Sequence, residues 1–285
     1  MLGSSLCRLF YNEHEIYALH RDEECFSICS ADYSLDLKDL IQLQTIFNKI
    51  KPDLVIHCAS LTSVDECEAE SKFAYATNVM VTENIARICS DGIKLVHIST
   101  DQVYGETADH SEDNDALHPI NQYGKTKLQG EQKVQEHCPD HIIIRTNIFG
   151  WNVKPGKTSS GEWIYNSLRN GQKITLFSDY IFSPVYTKYL GEAILGLVHM
   201  NFSGVINVGS PIQCSKYDFG QHMAEIFGFD QSLISRGSIK EHSFIAKRCA
   251  KLDLNCSRLI KMKMDIPTWR QSILGFSDES NNLRL

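Results

Sequence analysis

Three near-continuous apolar runs constrain this chain more than any other feature: "DLVIHCA" at 53–59, "KLVHIST" at 94–100 and "HIIIRTNIF" at 141–149. A strand that is apolar at consecutive rather than alternate positions is covered on both faces. Between these runs lie segments of helical period, "FAYATNVMVTENIARIC" (73–89), closed by Gly92, and "QYGKTKLQGEQKVQEH" (122–137). Upstream, "EIYALH" (15–20) reads as a strand and "LKDLIQLQTIFNKI" (37–50) as a helix that stops before Pro52. Parallel strands need a crossover between them, so this alternation predicts an α/β fold with a doubly wound parallel sheet. Beyond residue 150 the pattern is less regular. "KITLF" (173–177) and "GVINVG" (204–209) read as short strands, and "TKYLGEAILGLVHM" and "KYDFGQHMAEIFGF" as helices. Ser215 and Asp218 stand at capping-box spacing before the second of these helices. "VKPGKTSSGEW" reads as a loop where the character of the chain changes.

Composition removes several classes of function. A net charge of −7 and a pI near 5.9 exclude the basic face that nucleic acid or an anionic membrane requires. No apolar run approaches the ~18 residues of a membrane span, and the N-terminus is not a signal peptide. The ten cysteines form no CxxC pair, and the closest two, Cys25 and Cys29, match no common zinc spacing. They read as reduced thiols of a cytoplasmic protein. His137 and His141 lie four apart, but Pro139 between them breaks the helix that would place both on one face, so no metal site is expected.

In an open parallel sheet, ligands bind at the carboxyl ends of the strands. Here those ends read "HCASLTSVDECE", "STDQVYG" and "RTNIFG". Tyr123 and Lys127, four apart at the start of a helix, share one face. A free phenol with a pKa near ~10 is a poor acid or base at neutral pH, and a neighbouring cation lowers that value. Thr100, ending the preceding strand, could hold a carbonyl oxygen beside the phenol. The bland alternative, a solvated helix face, fits most Tyr/Lys pairs at this spacing; the Ser-Thr strand end upstream sets this pair apart. A second phosphate-loop candidate, "GWNVKPGKTSS", has five residues between Gly150 and Gly156 where that motif has four, and Pro155 removes an amide where donors are needed.

"HISTDQVYG" and "HPINQYGKTKLQGE", with "PDLVIHCASLTSVDECEAE" and "ATNVMVTENIARIC" before them, resemble the extended short-chain dehydrogenase/reductases. Within these the chain is most similar to the dTDP-4-dehydrorhamnose reductase family, loosely also through "FSDYIFSPVYTKYLGEAI" and "AKRCAKLDLNCSRL". The resemblance implies a Rossmann-like dinucleotide-binding lobe over 1–150 and a smaller substrate-binding lobe over 151–285, with a segment near 187–210 returning to the first. It implies Thr100, Tyr123 and Lys127 as the catalytic triad of an NAD(P)H-dependent reductase, Tyr123 giving the proton and Lys127 also binding the nicotinamide ribose. The implied substrate is a nucleotide-diphosphate 4-keto-6-deoxysugar, dTDP-4-dehydrorhamnose being the single best choice, lying near Thr62, Val64, Asp65, Arg145, Ser183 and Pro184. Cofactor positions implied besides Tyr123 and Lys127 are Gly3, Arg21, Asp36, Ala59, Ser60 and Asn78. His20 and Arg21 suit NADP, while Asp22 keeps NAD open.

The chain departs from the family pattern in several places. Arg145-Thr146-Asn147-Ile148 lacks the aromatic of R-T-x-W, Val185 replaces a usual Thr, and Cys249 replaces a usual Pro. A sugar-nucleotide epimerase or dehydratase, or a non-catalytic dinucleotide-binding subunit resembling the methionine adenosyltransferase β subunit, are the alternatives; a homodimer is left open. The opening "MLGSSLCRLF" has Leu2, Leu6, Leu9 and Phe10 at helical spacing and matches only the end of the family's T-G-x-x-G-x-L-G turn, with Gly3 as its last glycine. The strand before that turn would lie at the centre of the sheet. The expectation is therefore that the natural start lies roughly a dozen residues upstream and that Met1 is internal, since one strand and its turn need about that length. The competing expectation is a truncation that has lost cofactor binding.

Overall fold

The computed structural model describes residues 1–21, 28–106, 110–113 and 116–283, the last three by backbone alone; Asp22 and Cys25 lie outside them. The chain runs α1 (Leu2–Phe10), β1 (Tyr17–His20), β2 (Ala31–Ser34), α2 (Leu40–Ile50), β3 (Leu54–His57), α3 (Val64–Ala69) and α4 (Ser71–Tyr75). A π-helical turn at Ala76–Met80 leads into α5 (Val81–Ile88), β4 (Lys94–Ile98), a 3₁₀ turn at Asp101–Val103, α6 (Gln122–His137) and β5 (His141–Phe149). Then come α7 (Ser160–Arg169), β6 (Ile174–Phe177), β7 (Ile181–Phe182), β8 (Pro184–Tyr186), α8 (Thr187–His199), β9 (Gly204–Val208) and β10 (Cys214–Ser215). The chain finishes with α9 (Lys216–Phe227), β11 (Ile234–Gly237), β12 (Lys251–Leu252), α10 (Ser257–Lys261) and α11 (Trp269–Leu283).

β3, β4 and β5 form a parallel sheet in which β5 is central. One edge of β5 pairs with β4, while the other takes β9 over Ile142–Thr146 and then β8 over Asn147–Phe149, all parallel. The doubly wound α/β reading therefore holds, and the segment containing β8, α8 and β9 returns to this sheet. Successive residues of β5 show why its sequence is apolar throughout. Ile142 and Ile144 enter a core with Val96, Leu190, Ile194 and Ile206, whereas Ile143 enters the opposite core with Leu43, Phe47, Val81, Ile85 and Leu95. A third core gathers Phe149, Trp151, Tyr165, Phe219, Trp269 and Phe276, with Trp151 and Phe276 stacked at 3.9 Å. Among the described residues no helix is long and apolar enough to cross a membrane.

α1 is the helix its spacing predicts, and it packs on α8. Leu2, Leu6 and Phe10 are buried there, and Gly191 lets the Leu6 and Leu9 side chains lie close against the backbone of α8. β1 pairs with β2, and β3 with β4, yet β1 and β3 do not pair with each other. Between them lies a cavity of about 810 Å³, lined by both strands, by Leu6 and Phe10 of α1, and by Leu43 and Phe47 of α2. The cavity is wide and mostly apolar, so the 285-residue chain is expected to enhance the fluorescence of an apolar dye such as ANS in native buffer, below any thermal transition. A native chain that leaves the dye dark would mean that β1 and β3 close on each other in solution.

Candidate functional site

The site is built where the start of α6 meets the end of β4. Thr100 follows β4 and caps the 3₁₀ turn, its Oγ1 accepting from Gln102 N at 3.3 Å and donating to Asp101 Oδ1 at 3.1 Å. Asn121 caps α6 through Oδ1, which accepts from Gly124 N at 2.9 Å, while its amide donates to Gln102 Oε1 at 3.1 Å and to Lys247 O at 3.0 Å. Gly124 lets the two segments touch, for a Cβ there would lie 2.6 Å from Gln102 O. The docking sets the Tyr123 hydroxyl close enough to Thr100 for Thr100 to act on its pKa. One turn on, Lys127 is 2% exposed, and its Nζ donates to Ile98 O at 2.7 Å and lies 3.3 Å from His97 Nε2.

Burial sets the protonation states. It raises the Tyr123 pKa, with Thr100 opposing the effect and Asp101 adding to it. The acidified phenolate expected from the neighbouring lysine is therefore not what this site holds: the phenol is protonated at neutral pH, and Lys127 turns its ammonium towards β4. Burial also lowers the Lys127 pKa to about 8, against the pull of Glu131. Asp101 was not singled out from sequence. Its Oδ2 accepts from Asn147 Nδ2 at 2.5 Å, and burial pushes its pKa up to about 6. Asn147 is thus the anchor of an acid beside Thr100. Lys216 was missed as well. Its Nζ stands 3.7 Å from the Phe182 ring centre, and burial brings its pKa down to about 8. Only the fold reveals it, because it is the first residue of α9, far from the motif in sequence.

The residues expected to hold a cofactor divide into open and committed groups. Gly3, in the first turn of α1, has nothing nearer to its Cβ position than Cys58 Cβ at 3.9 Å, and Ala59 after β3 is exposed. Gly3, His20, Ala59 and Ser60 all border the cavity beside β1 and β3. Arg21, just past β1, is exposed, as is Asp36, whose Oδ1 accepts from Lys38 N at 3.0 Å. Small residues at a helix start and a strand end, with a cation near the next strand, fit a dinucleotide. Asn78, in the π-helical turn, uses both ends of its amide internally: it accepts from Ser60 Oγ at 2.9 Å and Leu61 N at 2.8 Å, and donates to Leu61 O and Thr126 Oγ1 at 3.1 Å each. It holds the 60–61 loop against α6.

On the expected substrate side, Thr62 is exposed, Val64 opens α3 behind the Ser63 cap, and Pro184 is buried in β8. Ser183 Oγ accepts from Leu254 N at 3.1 Å. Asp65 accepts from Ala246 N at 3.0 Å and pairs with Arg248 at 2.8 Å, closing the C-terminal segment over α3. Arg145, expected to face a sugar, is turned inwards instead. It is 4% exposed, pairs with Glu131 at 2.7 Å, donates to Tyr104 Oη at 3.1 Å and stacks on the Tyr104 ring. Ser99 donates to the same Glu131 carboxylate. The pair welds α6 to β5, which fixes the turn carrying Lys127. Glu131→Ala is expected to leave a buried, unpaired guanidinium and to cost about 3–5 kcal/mol in denaturant unfolding. A loss within ~0.5 kcal/mol would show that the pair is dispensable.

The family model described as the RmlD substrate binding domain matches residues 1–281. The chain is 32% identical to the probable low-salt glycan biosynthesis reductase Agl14 of Haloferax volcanii, over 82% of this chain and 79% of that protein. It is 26% identical to methionine adenosyltransferase 2 subunit beta of Danio rerio, over 79% and 71% of the two. Among solved structures, dTDP-4-dehydrorhamnose reductase from Bacillus anthracis, in complex with NADP, superposes with a TM-score of 0.82 at 26% identity, covering 93% of this chain and 99% of that one. With a Thr-Tyr-Lys constellation on a doubly wound parallel sheet and a family match along nearly its whole length, this chain belongs to the RmlD substrate-binding-domain family of the extended short-chain dehydrogenase/reductases.

Proposed function

We propose that this chain is an NADPH-dependent reductase of a nucleotide-diphosphate 4-keto-6-deoxysugar, with dTDP-4-dehydrorhamnose as its substrate. The observation that carries the reading is the placing of Tyr123 beside Thr100 at the end of β4, with the buried Lys127 one helical turn behind. A reduced nicotinamide, when bound, supplies hydride to the carbonyl carbon. Tyr123 then gives its proton to the carbonyl oxygen, turning the ketone into an alcohol, and Thr100 orients the phenol for that transfer. A phenol kept protonated by burial is in the correct state to donate. The phenolate left behind is an anion, and Lys127, buried one turn on along α6, is the cation proposed to support it.

Gly3, Ala59 and Ser60 would let the cofactor approach the backbone, with Arg21 towards its 2′-phosphate and Asp36 towards its adenine. Thr62, Val64, Ser183 and Pro184 would line the substrate side of a cleft between a lobe over 1–150 and one over 151–285. Arg145 and Asp65 support that wall from behind, and Lys216 brings a cation towards it. The scattered cysteines, with no CxxC pair, suit a reducing cytoplasm.

Loss of reduced-nicotinamide absorbance on adding dTDP-4-dehydrorhamnose tests the reading. Turnover is expected, and Tyr123→Phe should slow it by about 10²–10⁴-fold, far more than it weakens NADPH binding, since the phenol is the proposed acid. A phenylalanine variant that retains turnover would remove the proposed donor. Tight NADPH binding with no turnover of any 4-keto sugar nucleotide would favour a regulatory subunit, the reading to which the adenosyltransferase subunit's similarity points.

The pH dependence follows from the lysine. Its pKa lies near 8, so the cation is complete below that value and is lost above it. The rate at limiting substrate should therefore fall as pH rises through about 8, well before tyrosine titration at about 10 could contribute. A profile that stays flat across that interval contradicts the assignment of a charged Lys127.

A further inference from the structure

His97 is the one side chain at this site whose presence the packing alone does not explain. It lies on β4 between Val96 and Ile98, is 0% exposed, and its Nδ1 is buried without a hydrogen-bond partner. An imidazole nitrogen left unpaired in a dry interior costs free energy that an apolar side chain of similar size would not incur. Its other nitrogen, Nε2, lies 3.3 Å from Lys127 Nζ. Consecutive residues of one strand thus present two groups to the same ammonium, the His97 ring and the Ile98 carbonyl, the latter at 2.7 Å.

We propose that His97 is a positioning residue for Lys127: its neutral imidazole accepts a hydrogen bond from the ammonium through Nε2 and, with the Ile98 carbonyl, fixes where the cation stands. This rests on the reading of Tyr123 and Lys127 as the acid and its supporting cation. The ring is held neutral by its surroundings. Burial and the charge of Lys127 both keep its pKa well below the ordinary histidine value.

The groups that bear on the pair come from every side. Lys127 and Glu131 lie on α6, His57 and Cys58 at the end of β3, Cys67 on α3 and His141 on β5. His57, whose ring centre is 5.3 Å away, is itself neutral, and its Nε2 lies 3.1 Å from Thr82 Oγ1. Thr82 donates to Asn78 O at 2.8 Å, so its oxygen is left to accept from the His57 ring. His57 Nε2 is therefore committed as a donor to Thr82, and the ring nitrogen that faces the ammonium is that of His97. Gly130 completes the arrangement. A Cβ there would lie 2.8 Å from Asn78 O and 3.6 Å from His97 Nε2, so a glycine lets α6 lie close enough for the lysine to reach the strand. Of Lys127's three protons, one goes to Ile98 and one to His97, leaving one for the site.

Lysine-selective ¹⁵Nζ NMR of the whole chain, with Lys127→Arg to assign the signal, reads the pair without substrate or turnover. In His97→Leu the Lys127 midpoint should fall by about one unit, because an acceptor of the charged form has been removed, and His97→Gln should restore most of it. In turnover, the alkaline limb should move with the lysine in the same variants. An unchanged Lys127 midpoint in a folded His97→Leu overturns the proposal. Should that variant not fold, long-range ¹H–¹⁵N spectra of the wild-type histidines decide. Expected is a His97 ring carrying its proton on Nδ1 with a bare Nε2; a proton on Nε2 would overturn the assignment. If the titration moves as stated but no 4-keto sugar nucleotide is reduced, the positioning role stands and the substrate reading falls.

Discussion

The contact on which the site depends is the seating of one helix on one strand, α6 on β4. It is secured at three levels. Asn121 caps the helix and ties it to Gln102 and Lys247. Lys127 reaches the Ile98 carbonyl in the second turn. Glu131 grips Arg145 and Ser99 in the third. Two glycines, Gly124 and Gly130, keep the backbones close enough for these bonds, since a methyl group at either would collide with a carbonyl oxygen. A helix free to rock by an ångström would separate Tyr123 from Thr100, and proton transfer depends steeply on that alignment. Most of the polar chemistry in this region therefore holds the tyrosine in place, and few groups are left over to meet a ligand.

This division of labour explains which parts of the site the sequence made legible. The fold was readable because the strands of a doubly wound sheet are apolar at every position, and β5 shows the reason directly, with Ile142 and Ile143 in opposite cores. α6 and β5 fall on the residues that periodicity and apolar content assign to them. The positions of Thr100 at a strand end and of Tyr123 and Lys127 at a helix start were readable because these are local signals. Arg145, Asp65 and Asn78 were not, because a residue's type does not reveal whether its polar atoms are already satisfied by the fold. Arg145 looked like a ligand for an anion until Glu131 was seen beside it.

Other elements escaped for different physical reasons. α7 follows "GKTSS", which reads as loop, yet Ser159 and Glu162 form a reciprocal cap at its start, a signal present in the sequence at the standard spacing. The π-helical turn at 76–80 hides inside a helix of ordinary period, because one extra residue in a turn leaves the hydrophobic stripe nearly unchanged. β7, β10 and β12 are two residues each, too short for any alternation to register, and they exist because the segments around them are already in place. Ile148 stands where the family pattern has its aromatic, and its neighbour Asn147 holds the buried Asp101.

The account stands on Tyr123 being a half-buried phenol, held protonated beside Thr100. Selective ¹³Cζ-tyrosine NMR across the alkaline range, with Tyr123→Phe to identify the signal, measures that state directly. The account predicts that Tyr123 keeps its proton at pH values where the exposed tyrosines have lost theirs. A Tyr123 signal that titrates with the exposed tyrosines, or before them, would contradict it.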